Sequence, residues 1–208
     1  MYDLRRNKPY VRVKICGVTR VEDAVTAEEA GADAIGVVMY SDSPRSIGPE
    51  RAAEIFAVLG PFVARVVVTH TTSPADLDRV FALHPSAVQV SHPHAVPPGA
   101  GVQVIRVVEG VPLPPRADAY IVDRSCGTGR LFDAEAVRAV MRASNVPVVL
   151  AGGLGPRNVR AAVEAFRPYA VDVCSGVEQE PGVKDPALIR AFVAAARGFS
   201  PEESGRPA

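Results

Sequence analysis

The chain has 208 residues, and its 23 basic and 23 acidic side chains leave a formal net charge of zero with no long run of one sign. That balance argues against an electrostatic nucleic-acid or membrane surface and points to a small-molecule partner. Hydrophobic residues make up 48%, enough for one substantial core, and the longest apolar runs, such as 34–39, are strand-like; with no apolar signal-peptide core at the N-terminus, a cytoplasmic protein is expected.

Taken in chain order, residues 1–9 are polar, lack periodicity and are expected to fray. Residues 11–16 alternate as a strand, with Arg12, Lys14 and Cys16 on one face and Val11, Val13 and Ile15 on the other. If the apolar set faces helices, Lys14 and Cys16 point inward. A neighbouring ammonium favours the thiolate and burial disfavours it, so Cys16 is either a base or a small apolar filler. A helix over 20–30, a strand over 34–39 and a loop carrying Arg45, a possible anion clamp, come next. Helix 49–59, strand 62–68 and helix 74–83, the last starting at Ser73-Pro74, continue the alternation. His70 falls at the loop after the third strand.

The strands at 86–90 and 102–108 are each followed by proline-rich segments, 91–101 and 109–116, too short and too proline-rich for a packed helix. The strand at 118–123 ends on Asp123, which is either the cap of the following turn or an acid/base group. Helix 133–143, strand 146–151, helix 156–166 starting at Gly155-Pro156, strand 169–174 and helix 186–196 complete the series, and 198–208 reads as a disordered tail. The loops after the last two strands contain Gly152-Gly153 and Ser175-Gly176, where backbone N–H groups can approach an anion. Asp172 shares the parity of Cys174 and faces inward, as a partner of Lys14 or of a ligand. Cys16, Cys126 and Cys174 are far apart, and no Cys/His set has zinc spacing, so reduced thiols and no metal are expected.

Eight β-rich runs alternating with helices predict an α/β fold, a compact (β/α)8 barrel over 10–197, with the fourth and fifth helices replaced by loops. The catalytic face of such a barrel lies at the C-terminal ends of its strands, which is where Cys16, Asp123 and the glycine loops fall.

The segments "KICGVTRVEDA", "GADAIGVVMY-SDSPRSI", "AGGLGPRNV", "RPYAVDVCSGVE" and "PGVKD", in this order across about residues 11 to 196, resemble the phosphoribosylanthranilate isomerase family of tryptophan biosynthesis. The resemblance implies a (β/α)8 barrel, no cofactor, a phosphoribosyl substrate, and an Amadori rearrangement by general acid/base catalysis. Cys16 matches the family's general base and Asp123 its general acid. Arg45 matches its substrate-binding arginine, and Asp172, the aspartate of its strand-eight motif, is counted with it. Gly152, Gly153, Ser175 and Gly176 match its phosphate loops. The chain departs from the family at Val68-Thr-His-Thr71, at Gln89-Val-Ser-His92, where the family commonly has "QLHG", and at Cys126-Gly-Thr-Gly-Arg-Leu-Phe-Asp-Ala134. Those changes leave open a paralogue acting on a modified substrate, or a phosphate-ligand-binding relative without turnover. A monomer or a homodimer fits equally.

Overall fold

A computed structural model of the chain describes residues 11–91, 96, 101–123 and 133–198. All eight predicted β-rich runs form strands: β1 Arg12–Ile15, β2 Ala34–Met39, β3 Ala64–Thr69, β4 Ala87–Val90, β5 Gln103–Val108, β6 Ala119–Val122, β7 Val148–Leu150 and β8 Ala170–Val173. Each pairs in parallel with the next, and β8 returns to β1, closing the barrel in chain order. Val and Ile dominate because both faces are covered: one set meets the helices and the other fills the interior. Toward one end of that interior, Ile121, Val149, Ala151 and Ala170 pack with Ile105, Val107 and Tyr169.

Among the described residues, six helices line the outside: α1 Val21–Glu29, α2 Pro49–Ala57, α3 Pro74–Phe81, α4 Ala134–Ala143, α5 Val159–Phe166 and α6 Pro186–Ala196. Their starts are written locally. Ser73 accepts the Asp76 N–H ahead of α3, Asp133 accepts those of Glu135 and Ala136 ahead of α4, and Asp185 those of Ala187 and Leu188 ahead of α6. Each cap satisfies donors that lack an intrahelical partner, and Pro74 and Pro186 occupy first-turn positions where no N–H is needed. Helix α6 buries Ile189, Phe192, Val193 and Ala196, a stripe at helical spacing. The start predicted for α5 at Pro156 is corrected to Val159. The Asn158 side chain turns back to accept the Gly155 N–H at 2.8 Å and to donate to the Gly153 carbonyl at 2.9 Å, which keeps 155–158 in the loop.

Residues 109–118, between β5 and β6, contain no helix. They are held down by Asp118 accepting the Val104 N–H at 2.7 Å, by the Tyr120 hydroxyl donating to the Pro114 carbonyl at 2.5 Å, and by Arg106 Nε donating to the Arg116 carbonyl at 3.2 Å. Leu113 and Ala117 pack against the main core, so the loop itself covers that part of the wall. Of the corresponding segment after β4, only Ser91, Val96 and Gly101 are described, and Val96 packs against the same core. The expected frayed ends lie outside the described residues apart from Gly198.

One element is absent from the sequence reading. After β8 a 3₁₀ turn, Ser175–Val177, leads into an antiparallel pair, β9 Glu178–Glu180 and β10 Val183–Lys184. Its strands are two and three residues long, with too few positions for alternation to register. The Thr19 hydroxyl donates to the Gly182 carbonyl at 2.5 Å, anchoring this hairpin to the loop after β1. Among the described residues no helix is long and apolar enough to cross a membrane.

Candidate active site

Cys16 follows β1 directly. Its N–H donates to the Val173 carbonyl at 2.8 Å, which extends the β1–β8 pairing by one residue. The thiol is 6% exposed and packs with Val38, Val68 and Cys174. One turn of the pleat below, Lys14 stands in register with Asp172 across the β1–β8 seam. Its ammonium donates to Asp172 Oδ1 at 2.9 Å and, across the barrel, to Gln89 Oε1 at 3.1 Å. Burial alone would strip the lysine of its proton, but the charge of Asp172 and its hydrogen bond hold it above the ordinary lysine range. Lys14 is therefore an ammonium at neutral pH.

For Cys16 the balance runs the other way. Burial pushes the thiol up, Lys14 pulls it down, and Asp172 pushes it up again, with a net rise above the usual thiol range. The sign expected for Lys14 is right, but desolvation outweighs it. The resting group is a thiol, and any base chemistry draws on a minor thiolate population.

Asp123 follows β6, its N–H donating to the Val108 carbonyl at 3.3 Å, and it is half-buried. It lies close enough to Asp172 to add repulsion to the burial that already works against that carboxylate, while Lys14 supports it. Asp172 thus stands electrostatically between the β1 and β6 groups. Residues 124–132, which include Cys126 and most of the altered sixth loop, fall outside the described residues.

The two glycine loops meet. Gly152 and Gly153 adopt left-handed φ values of 88° and 64°, available to glycine at little cost. A Cβ on Gly176 would fall 1.9 Å from the Leu154 carbonyl oxygen, so the loop after β8 rests its bare backbone on the loop after β7. Gly176→Ala should force the loops apart. Overpacking of this kind costs about 1–3 kcal/mol, or roughly 2–12 °C of thermal midpoint at this chain length. An unchanged midpoint would contradict the packing.

Arg45 is brought to the mouth from the loop after β2, but it meets Glu178. Its Nε and Nη2 donate to Glu178 Oε1 and Oε2 at 2.8 and 2.6 Å. Lys184 Nζ donates to Glu178 Oε1 at 2.8 Å. Neither Glu178 nor Lys184 was singled out in the sequence, although both fall within the segments carrying the family resemblance; Gln89 entered only as the first residue of a segment at which the chain departs from the family. Beside Arg45, residues 40–45 and 70–72 line an open cleft of about 620 Å³, in which the Ser41 hydroxyl and His70 Nδ1 lie 3.0 Å apart. Cys16 and Asp123 do not line this cleft. It is a flank of the mouth rather than its centre.

The model of the N-(5'-phosphoribosyl)anthranilate (PRA) isomerase family matches residues 108–195, from the end of β5 into α6. The N-(5'-phosphoribosyl)anthranilate isomerase of Methanoregula boonei is 56% identical over 189 residues, covering 90% of this chain and 97% of that protein. The chain belongs to the phosphoribosylanthranilate isomerase family. Among solved members of that family, the Thermus thermophilus enzyme is 37% identical with a TM-score of 0.78, covering 89% of this chain and 98% of its own. A second, solved in complex with reduced 1-(o-carboxyphenylamino)-1-deoxyribulose 5-phosphate, is also 37% identical, with a TM-score of 0.75 and coverage of 91% and 100%. The likeness to the family extends over the whole barrel, so the strand ends that carry Cys16, Asp123 and the glycine loops belong to a shared frame.

Proposed function

We propose that this chain catalyses the Amadori rearrangement of N-(5'-phosphoribosyl)anthranilate to 1-(2-carboxyphenylamino)-1-deoxyribulose 5-phosphate in tryptophan biosynthesis, with Asp123 as general acid and Cys16 as general base. The observation that carries the reading is the placement of Cys16 and Asp123 at the C-terminal ends of β1 and β6, on the catalytic face of a barrel of this family.

The chemistry needs one proton given and one taken. Asp123 protonates the ribose ring oxygen, and the C1–O bond breaks as the anthranilate nitrogen lone pair forms the C1=N bond. The Cys16 thiolate then removes the proton from C2; the C–H electron pair becomes the C1=C2 bond and the C=N π pair returns to nitrogen. The resulting enolamine ketonises by losing its O2 proton and gaining one at C1, so no atom is gained or lost. The Lys14 ammonium, held by Asp172 and Gln89, lies beside the thiolate as it forms and favours it. Gly152, Gly153, Ser175 and Gly176 receive the phosphate on backbone N–H groups, as paired loops at this position of a barrel can do. Arg45 receives the anthranilate carboxylate. The relative solved with the reduced product analogue holds a ligand carrying both anions.

A spectroscopic assay following consumption of freshly made phosphoribosylanthranilate tests the reading. The wild-type chain should turn over, and Asp123→Asn should lower kcat by at least about a hundredfold. Absence of wild-type turnover would overturn the function, and an unaffected Asp123→Asn would overturn the acid.

A further inference from the structure

The isomerase chemistry gives Arg45 a ligand but leaves unexplained the two charged side chains joined to it at the same mouth, Glu178 and Lys184. Glu178, at the start of β9, has its carboxylate 4% exposed, facing Arg45 at 13% and Lys184 at 0%. It accepts from Arg45 through both oxygens, from Lys184, and from the Gly182 N–H at 3.2 Å. Lys184 also donates to the Cys174 carbonyl at 3.1 Å, which fixes it from the other side. Burial would raise the Glu178 carboxyl, but its bonds to Arg45 and Lys184 hold it below the usual range. The carboxylate is thus charged and shared by two cations, leaving one positive charge in excess within this group of three.

The direction of that excess follows from the pairing. Glu178 takes the Nε side of the guanidinium, using Nε and one Nη2 hydrogen. The opposite edge, Nη1 with the second Nη2 hydrogen, matches a carboxylate in the two-point manner typical of arginine. Among the described residues, Nη1 donates to no protein acceptor. Arg45 also lies against the residue that follows Cys16, since a Cβ on Gly17 would come within 2.7 Å of Arg45 Cδ.

We infer that Glu178 is a positioning residue: by holding the Nε edge of Arg45, it presents the other edge beside Cys16 to the carboxylate of the aromatic half of the substrate. Lys184 keeps Glu178 charged and in place. The inference rests on the isomerase reading and adds to it the means by which Arg45 is aimed.

Two ligands separate this role from a merely structural one: the reduced product, 1-(o-carboxyphenylamino)-1-deoxyribulose 5-phosphate in reduced form, and the same molecule lacking the ring carboxyl group, each titrated calorimetrically. Wild type should prefer the first. Glu178→Gln should weaken the carboxylated ligand by at least about tenfold, as expected for a lost charge-assisted contact, and leave the other within about twofold. Its KM should rise while kcat stays near wild type. In an Arg45→Ala background, Glu178→Gln should add nothing further to the loss. Should Glu178→Gln fail to fold, Glu178→Asp keeps the charge for Lys184 but draws it back from the guanidinium, and the same selective loss is expected. Equal weakening of both ligands, or a full additional loss in the Arg45→Ala background, would overturn the inference while leaving the isomerase reading intact. Wild type binding neither ligand would overturn both.

Discussion

Replacing Cys16 by alanine should lower kcat for phosphoribosylanthranilate by about a hundredfold to ten-thousandfold, with the fold retained. Its Sγ packs in a small cluster with Val38, Val68 and Cys174, and none of the bonds that hold the barrel closed passes through it, so the thermal midpoint should move by only a few degrees. Cys16→Ser should be as inactive as the alanine variant, because a serine hydroxyl beside the same ammonium remains far from ionised at neutral pH. The wild-type pH profile should carry a signature of the same group. Burial holds the Cys16 proton above the usual thiol range, so kcat/KM should climb with pH through and beyond about 8.5, the ordinary cysteine value. A flat profile across that interval would place the base elsewhere.

The same shift has a consequence for stability. Cys174, pushed up to about 12 by its own burial and by Cys16, behaves alike. Above the ordinary thiol range the unfolded chain loses protons that the folded chain keeps, and stability falls as pH rises toward the folded-state values. Activity and stability should therefore run in opposite directions on the alkaline side. Parallel kinetic and thermal-unfolding series would show it.

Lys14→Met should cause the largest loss of stability among single substitutions at the site. It removes the ammonium that Asp172 and Gln89 share inside the barrel, leaving a carboxylate and an amide oxygen without their donor. Breaking a buried ion pair from one side costs about 3–5 kcal/mol, which for a chain of this length corresponds to roughly 6–20 °C of thermal midpoint. The pair spans the β1–β8 seam, the closure of the barrel, so its loss falls where the first and last strands must find each other. Adding Asp172→Leu should recover a substantial part of that stability, because replacing both charges by apolar groups removes the unpaired one. Catalysis should not recover with it, since the thiolate still lacks its cation. A calorimetric scan of the two variants beside their turnover rates separates the two effects. A double variant no more stable than Lys14→Met would show that the seam depends on the charges themselves.

Much of this site was legible from order along the chain. The period-two alternation of 11–16 and of 169–174 assigned Lys14, Cys16 and Asp172 to the barrel interior, because side-chain direction in a strand is a local property. The count of β-rich runs, and the rule that chemistry gathers at strand ends, then placed Asp123 and the glycine loops on the catalytic face. Caps such as Ser73, Asp133 and Asp185 were equally local, each needing only donors two or three residues ahead.

What the sequence by itself determined is therefore the set of inward-facing residues and the end of the barrel at which they lie. Only the tertiary structure decided how their charges are balanced. Arg45 and Glu178 are 133 positions apart, and Lys14 and Asp172 are 158 apart, so neither pairing exists until the barrel closes. The two-residue and three-residue strands that carry Lys184 and Glu178 offer no periodicity to read. Whether Cys16 rests as thiol or thiolate was likewise undetermined along the chain. Burial and electrostatic balance are sums over neighbours in space, and here burial outweighs the lysine that the sequence placed two residues away.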